Sequence, residues 1–131
     1  MLLTIHRGAH EIGGSCVELR TAKSRILIDF GMPLVSCRKE TFDTKILKDK
    51  SINELRELKV LPDIKGLYKN EEKEIDAIFI SHSHLDHYGF LQYVNSEIPI
   101  YLSRGAGLLI EVSNIFVPTK VGKLNTRIIT H

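Results

Sequence analysis

The stretch "ISHSHLDHYGF", residues 80–90, contains three of the six histidines of this 131-residue chain. His82, His84, Asp86 and His87 fall within six consecutive positions. With six His and six Asp in the whole sequence, these four residue types would coincide by chance with a probability below roughly 10⁻³. The cluster therefore predicts a site in which imidazole and carboxylate groups act together.

The residues before the cluster indicate how its side chains are presented. "IDAIFIS", residues 75–81, is a compact apolar run that is typical of a buried strand. In an extended chain, residues two apart project to the same side, so His82 and His84 can converge on one point. Asp86 and His87 are adjacent and cannot share that face, so they serve a second point where the chain turns into a helix. The spacing predicts two neighbouring positions for zinc or another borderline divalent metal.

A polar surface loop is the alternative interpretation of the same residues. In that case the histidines face solvent, and Asp86 caps the helix that follows. A lone histidine is well explained in this way, but four such residues at this spacing favour metal binding. Gly89 follows closely and would let another backbone approach without an intervening side chain.

Strand and helix patterns alternate along the chain, which predicts a layered α/β sheet. Ser51 and Glu54 form a capping box at the start of one predicted helix. Besides residues 75–81, strands are predicted at residues 1–7, 16–21, 24–31, 98–103 and from 127 onward, and helices at 51–59, 89–96 and 106–116.

Composition limits the function classes. The net charge of +2 creates no general demand for an anionic partner, and no apolar run approaches the roughly 18 residues of a membrane span. The N-terminal residues lack the basic and apolar segments of a secretory signal. Cys16 and Cys37 form no CxxC pair, so we interpret them as reduced thiols. These features predict a cytoplasmic protein that is not associated with membranes.

"SHSHLDH" matches the HxHxDH signature of the metallo-β-lactamase fold at all four positions. "ILIDFG" resembles the first motif of that family and puts Asp29 in place of its aspartate. "HEIGGSCVEL" is similar to the glycine-rich opening of the branch that includes ribonuclease J and other RNA-processing proteins. The resemblance implies an αββα sandwich with two Zn²⁺ ions per complete site, or Mn²⁺ as an alternative.

The resemblance also assigns roles to individual residues. His82 and His84 would bind the first metal, and Asp86 and His87 the second. Asp86 is also the candidate catalytic residue, while Asp29 would orient the ligands from behind. The implied activity is metal-dependent hydrolysis, with phosphodiester bonds of RNA or DNA as the favoured substrate and nucleic acid as the partner. The alternatives are hydrolysis of small esters, thioesters or lactams, and a catalytically incomplete metal-binding fragment.

The sequence departs from the family pattern after the cluster. The family uses a further histidine on the first metal, an aspartate that bridges both metals and a final histidine on the second. No Asp follows His87, and the only later histidine is His131, which we interpret as an ordinary terminal residue in preference to a metal ligand. We therefore expect residues 1–131 to form the N-terminal part, about half, of a metallo-β-lactamase domain. Such a chain would bind metal weakly and would self-associate where the missing half leaves the sheet uncovered.

Overall fold

The computed structural model describes residues 1–35, 40–116 and 124–129. Its main element is a six-stranded sheet in the order β1-β3-β4-β6-β7-β8, and β2 and β5 form a separate two-stranded ribbon. β1, β3 and β4 pair antiparallel, whereas β4, β6, β7 and β8 are parallel. The strands are β1 Leu2–Arg7, β2 Ile12–Gly13, β3 Cys16–Arg20, β4 Arg25–Ile28, β5 Pro33–Val35, β6 Ala77–Phe79, β7 Ile100–Ser103 and β8 Thr126–Ile129.

Helices connect the parallel strands. They are α1 Ile52–Glu57, α2 Leu85–Tyr88 and α3 Arg104–Phe116, together with two 3-10 turns at Thr44–Leu47 and Leu91–Tyr93. The predicted capping box of α1 is confirmed, because Ser51 accepts from the Glu54 backbone and the Glu54 carboxylate accepts from that of Ser51. No helix in the described part of the chain is long and apolar enough to cross a membrane.

The two faces of the large sheet have different surroundings. Leu27, Ile78 and Ile100 are register partners on one face, and all three are buried in a core that also contains Leu55 of α1 and Ile110 of α3. The opposite face has a cross-strand row of apolar side chains that is only partly covered. This row consists of Ile5, Val17, Ile28, Phe79 and Tyr101. One face therefore forms the core, and the other leaves apolar surface accessible.

The predicted α/β architecture is confirmed, but the helix predicted at residues 89–96 is wrong. The helix α2 begins earlier, at Leu85, and Gly89 is its C-cap. Beyond the short 3-10 turn, Val94 forms a β-bridge with Tyr68, and the Asn95 N–H donates to the Leu67 carbonyl. These tertiary backbone bonds hold the segment extended where its local pattern favoured a helix.

Candidate metal centre

The histidine cluster lies at the carboxyl end of two neighbouring parallel strands. Asp29 follows β4, and residues 81–84 come one position after the end of β6. Because β4 and β6 are hydrogen-bonded in parallel, both segments leave the sheet at the same edge. Side chains that are more than 50 positions apart in sequence are thus brought together, as ligand sites commonly are at this edge of parallel sheets.

His82 and His84 form the first pair of candidate ligands. The Nε2 of His82 and the Nδ1 of His84 are 3.0 Å apart, and both side chains are exposed to solvent. Two imidazole nitrogens on one tetrahedral zinc, each 2.0–2.1 Å from it, would lie about 3.3 Å apart. The pair therefore needs only a small adjustment to hold one metal ion.

Asp86 and His87 form the second pair. The Nε2 of His87 lies 3.6 Å from the Oδ2 of Asp86, again close to the spacing of two ligands on one metal. The imidazole rings of His82 and His87 are 5.4 Å apart between centroids, so the two pairs are neighbours. Asp86 does not cap α2, because the N-cap residue is His84 and it has no side-chain capping bond. The capping role considered for Asp86 is thus wrong.

Asp29 supports His87 from the opposite side. Its side chain is buried, and its Oδ2 lies 2.8 Å from the Nδ1 of His87. A carboxylate oxygen can only accept at this contact, so it favours the tautomer in which Nδ1 carries the proton. The unprotonated Nε2 of His87 then faces Asp86 and is free to bind a metal.

Backbone hydrogen bonds fix the short helix that carries Asp86 and His87. Three consecutive carbonyl groups of α2 accept N–H groups from two distant loops, and that of Leu85 also accepts the Gly89 N–H at 2.7 Å within the helix. The bonds from the loops are Met32 N–H to Leu85 at 3.0 Å, Ser15 N–H to Asp86 at 3.0 Å and Phe30 N–H to His87 at 2.8 Å. The position of α2, which carries Asp86 and His87, is therefore set by residues 15 and 30–32.

Two glycines make this close approach possible. A Cβ on Gly31 would lie 1.7 Å from the Asp86 carbonyl oxygen, and one on Gly13 would lie 2.7 Å from the Asp86 Cβ. Gly13 also has a φ of +75°, which side-chain-bearing residues rarely adopt. The contact of Gly31 with Asp86 was missed from the sequence. The local sign of this contact was a glycine two positions after Asp29, where β4 ends.

The side chains at this edge suit a divalent metal, but they form pairs and not a closed site. Within residues 1–35, 40–116 and 124–129, no three His, Cys, Asp or Glu side chains converge to hold one ion. Burial raises the pKa of the nearby Cys16 thiol to about 12, so it stays protonated and is a poor ligand. His131 lies outside the described residues. The described side chains therefore form two neighbouring pairs, neither of which surrounds an ion.

Comparisons with known proteins identify the family. The family model of the metallo-beta-lactamase superfamily matches residues 11–106, more than half of the chain. An RNase J-like protein of Methanocaldococcus jannaschii is 32% identical over 93 residues, which are 71% of this chain and 15% of that protein. The transcription termination factor FttA of the same organism is 30% identical over 100 residues, 74% of this chain and 12% of that protein.

A solved structure shows the same fold. A protein of unknown function from Enterococcus faecalis V583 superposes with a TM-score of 0.74 at 23% identity, covering 98% of this chain and 33% of that one. The chain thus spans one third or less of the length of each of these proteins. The α/β sheet described above is part of a metallo-β-lactamase fold, and the chain belongs to the metallo-β-lactamase superfamily.

Proposed function

We propose that this chain provides the HxHxDH half of the metal site in a metal-dependent hydrolase that cleaves phosphodiester bonds of RNA or DNA. The observation that carries the proposal is the adjacency of the His82–His84 and Asp86–His87 pairs at one sheet edge. The relatives support the substrate class, since they include an RNase J-like protein and a transcription termination factor. A cytoplasmic location fits such a substrate.

Each side chain has a defined task in this proposal. His82 and His84 hold the first Zn²⁺ or Mn²⁺, and Asp86 and His87 hold the second. When bound, such metals lower the pKa of water to about 7 and stabilise negative charge on the attacked phosphate. Asp86 is also the candidate catalytic residue, because a carboxylate beside the reacting group can act as a general acid or base. Asp29 holds His87 in the tautomer that presents Nε2 to the metal.

We further propose that residues 1–131 form the N-terminal part of a metallo-β-lactamase domain. No Asp follows His87 in the sequence, and the described ligands form only pairs. In this proposal, the remaining ligands come from residues outside these two pairs. The same observations favour a second candidate function, in which the chain is a catalytically incomplete metal-binding fragment.

The partly covered sheet face supports self-association as the state of the isolated chain. Ile5 is 56% exposed, and the side chains of Val17, Ile28, Phe79 and Tyr101 beside it are only partly buried. A continuous apolar row of this kind on an open sheet favours contact with another apolar surface. We propose that a second copy of the chain covers this face when no other segment does.

Metal titration and hydrolysis assays test the proposed function. The purified chain is titrated with Co²⁺ and Zn²⁺ beside the double variant His82→Ala/His84→Ala and the control His10→Ala, which changes an exposed histidine outside the site. We expect weak binding by the wild type and the control, and at least a tenfold loss in the double variant. Equal binding by all three proteins would refute the metal site.

Substrate assays then separate the two candidate functions. Labelled RNA, a lactam and a thioester are incubated with the chain and Zn²⁺ or Mn²⁺. Metal-dependent RNA cleavage that is absent from the double variant supports the nuclease proposal. Metal-dependent cleavage of the lactam or thioester alone contradicts it. Metal binding without cleavage of any substrate supports the incomplete fragment.

A further inference from the structure

Ser81 lies between the candidate ligands and the residue that supports them. It follows β6 and directly precedes His82. Its backbone N–H donates to the Oδ1 of Asp29 at 2.8 Å, and its hydroxyl donates to the Oδ2 of Asp29 at 2.6 Å. The hydroxyl oxygen also lies 3.2 Å from the Nδ1 of His87. Ser81 thus contacts both partners of the Asp29–His87 hydrogen bond without being a metal ligand.

We propose that the Ser81 hydroxyl is a positioning group that holds the Asp29 carboxylate in the orientation required by His87. This inference rests on the proposed function, because orienting the His87 ring matters only if its Nε2 binds a metal. The Oδ2 of Asp29 accepts both the Ser81 hydroxyl and the His87 Nδ1–H. Two donors that meet at one oxygen fix its place relative to both.

The hydroxyl adds a restraint that the backbone does not provide. The torsion that rotates an aspartate carboxylate has broad minima, so each hydrogen bond to its oxygens narrows the range of its orientations. With alanine at position 81, the backbone N–H would still hold Oδ1, but Oδ2 would keep only the His87 contact. The carboxylate would then be held by two hydrogen bonds in place of three and could turn more easily, and the Nδ1–H tautomer of His87 would lose part of its preference.

The same contacts argue against Ser81 as a nucleophile. In a serine–histidine–aspartate triad, the hydroxyl and the carboxylate bind opposite nitrogens of the imidazole. Here both lie at the Nδ1 of His87, and the hydroxyl proton is directed at Asp29. The hydroxyl and the carboxylate compete for the same nitrogen, so His87 cannot take the hydroxyl proton at one nitrogen while the carboxylate holds the other. The Ser81 hydroxyl therefore orients the Asp29 carboxylate and does not act as a nucleophile.

The test compares Ser81→Ala with Ser81→Thr, which keeps the hydroxyl. Ser103→Ala is the matched control, since this exposed serine ends the neighbouring strand β7 and its hydroxyl accepts from the Ala106 backbone. The first readout is the ring-nitrogen NMR spectrum of His87 in the metal-free chain, recorded where imidazole is neutral. The second is the affinity for Co²⁺.

We expect the wild type, Ser81→Thr and Ser103→Ala to keep the Nδ1–H tautomer of His87 and the same Co²⁺ affinity within about twofold. Ser81→Ala should show a mixture of tautomers and an affinity lower by about tenfold, the scale of losing a partner that orients a metal ligand. An unchanged tautomer in Ser81→Ala would overturn the proposal. A changed tautomer without Co²⁺ binding by any protein would support the role of Ser81 and refute the metal site instead.

Discussion

Replacing Gly31 by alanine should disturb the candidate metal centre without altering any of its ligands. The added Cβ would lie 1.7 Å from the Asp86 carbonyl oxygen and 2.2 Å from its carbon. Contacts of a real Cβ rarely fall below 3.0 Å, so one backbone must move by about 1.3 Å. Both contacting atoms belong to backbone, and no flexible side chain can absorb the movement.

The size of the effect follows from the hydrogen bonds at this contact. The N–H groups of Phe30 and Met32, on either side of Gly31, donate to α2 at 2.8 and 3.0 Å, and Ser15 donates to the Asp86 carbonyl at 3.0 Å. A displacement above 1 Å would break most of them, at about 0.5–1.5 kcal/mol each. We expect a loss of about 2–4 kcal/mol in the free energy of unfolding, a large share of the usual 5–15 kcal/mol.

Thermal unfolding and metal titration measure this prediction together. Gly31→Ala should lower Tm by about 10 °C and weaken Co²⁺ binding at least tenfold, because Asp86 and His87 move with their backbone. Gly105→Ala is the matched control, since a Cβ there meets nothing within 4 Å and alanine is the better helix former in α3. A Gly31→Ala protein with the Tm and Co²⁺ affinity of wild type would refute the proposed role of the contact between Gly31 and the Asp86 backbone.

Two further predictions concern the pH dependence of stability and the open sheet face. Hydrogen bonds from Arg25, assisted by His6, hold the pKa of Glu18 below its ordinary value, so this pairing stabilises the fold at neutral pH and is lost as pH falls below about 4. The difference in Tm between wild type and Glu18→Gln should therefore shrink on acidification from pH 6 to 3, and a constant difference would contradict it. Light scattering should show a self-associated wild type and a smaller species for Ile5→Glu, whereas the control Leu58→Glu, which changes an exposed residue at the end of α1, stays associated; a monomeric wild type would contradict self-association.

The sequence predicted the features that depend on local pattern. The apolar runs that became β4 and β6 were recognised because β-branched residues bounded by polar ones are typical of buried strands. The capping box of α1 was recognised because its two side chains are three positions apart. The alternate spacing of His82 and His84 gave the first pair of the candidate site, since it requires only an extended chain.

The features that depend on distant contacts were missed or wrong. The segment after Gly89 contains residues compatible with a helix, but its backbone pairs with residues 67–68, more than 25 positions earlier. The contact of Gly31 with Asp86 and the hydrogen bonds of Ser81 to Asp29 join segments more than 50 positions apart. A local sequence pattern cannot predict such contacts, because they form only when β4 and β6 pair.

The backbone at Asp29 is held in a strained conformation by contacts within the protein. Its φ of +61° is rare for a residue with a side chain and costs about 1 kcal/mol or more. The conformation persists because the Asp29 N–H donates to the Phe79 carbonyl at 2.8 Å, while Ser81 and His87 hold the carboxylate. These contacts fix the orientation of the His87 ring. Asparagine at position 29 would tolerate the same φ but would place an amide beside the His87 Nδ1. The strained backbone is thus retained where an acceptor-only side chain is needed.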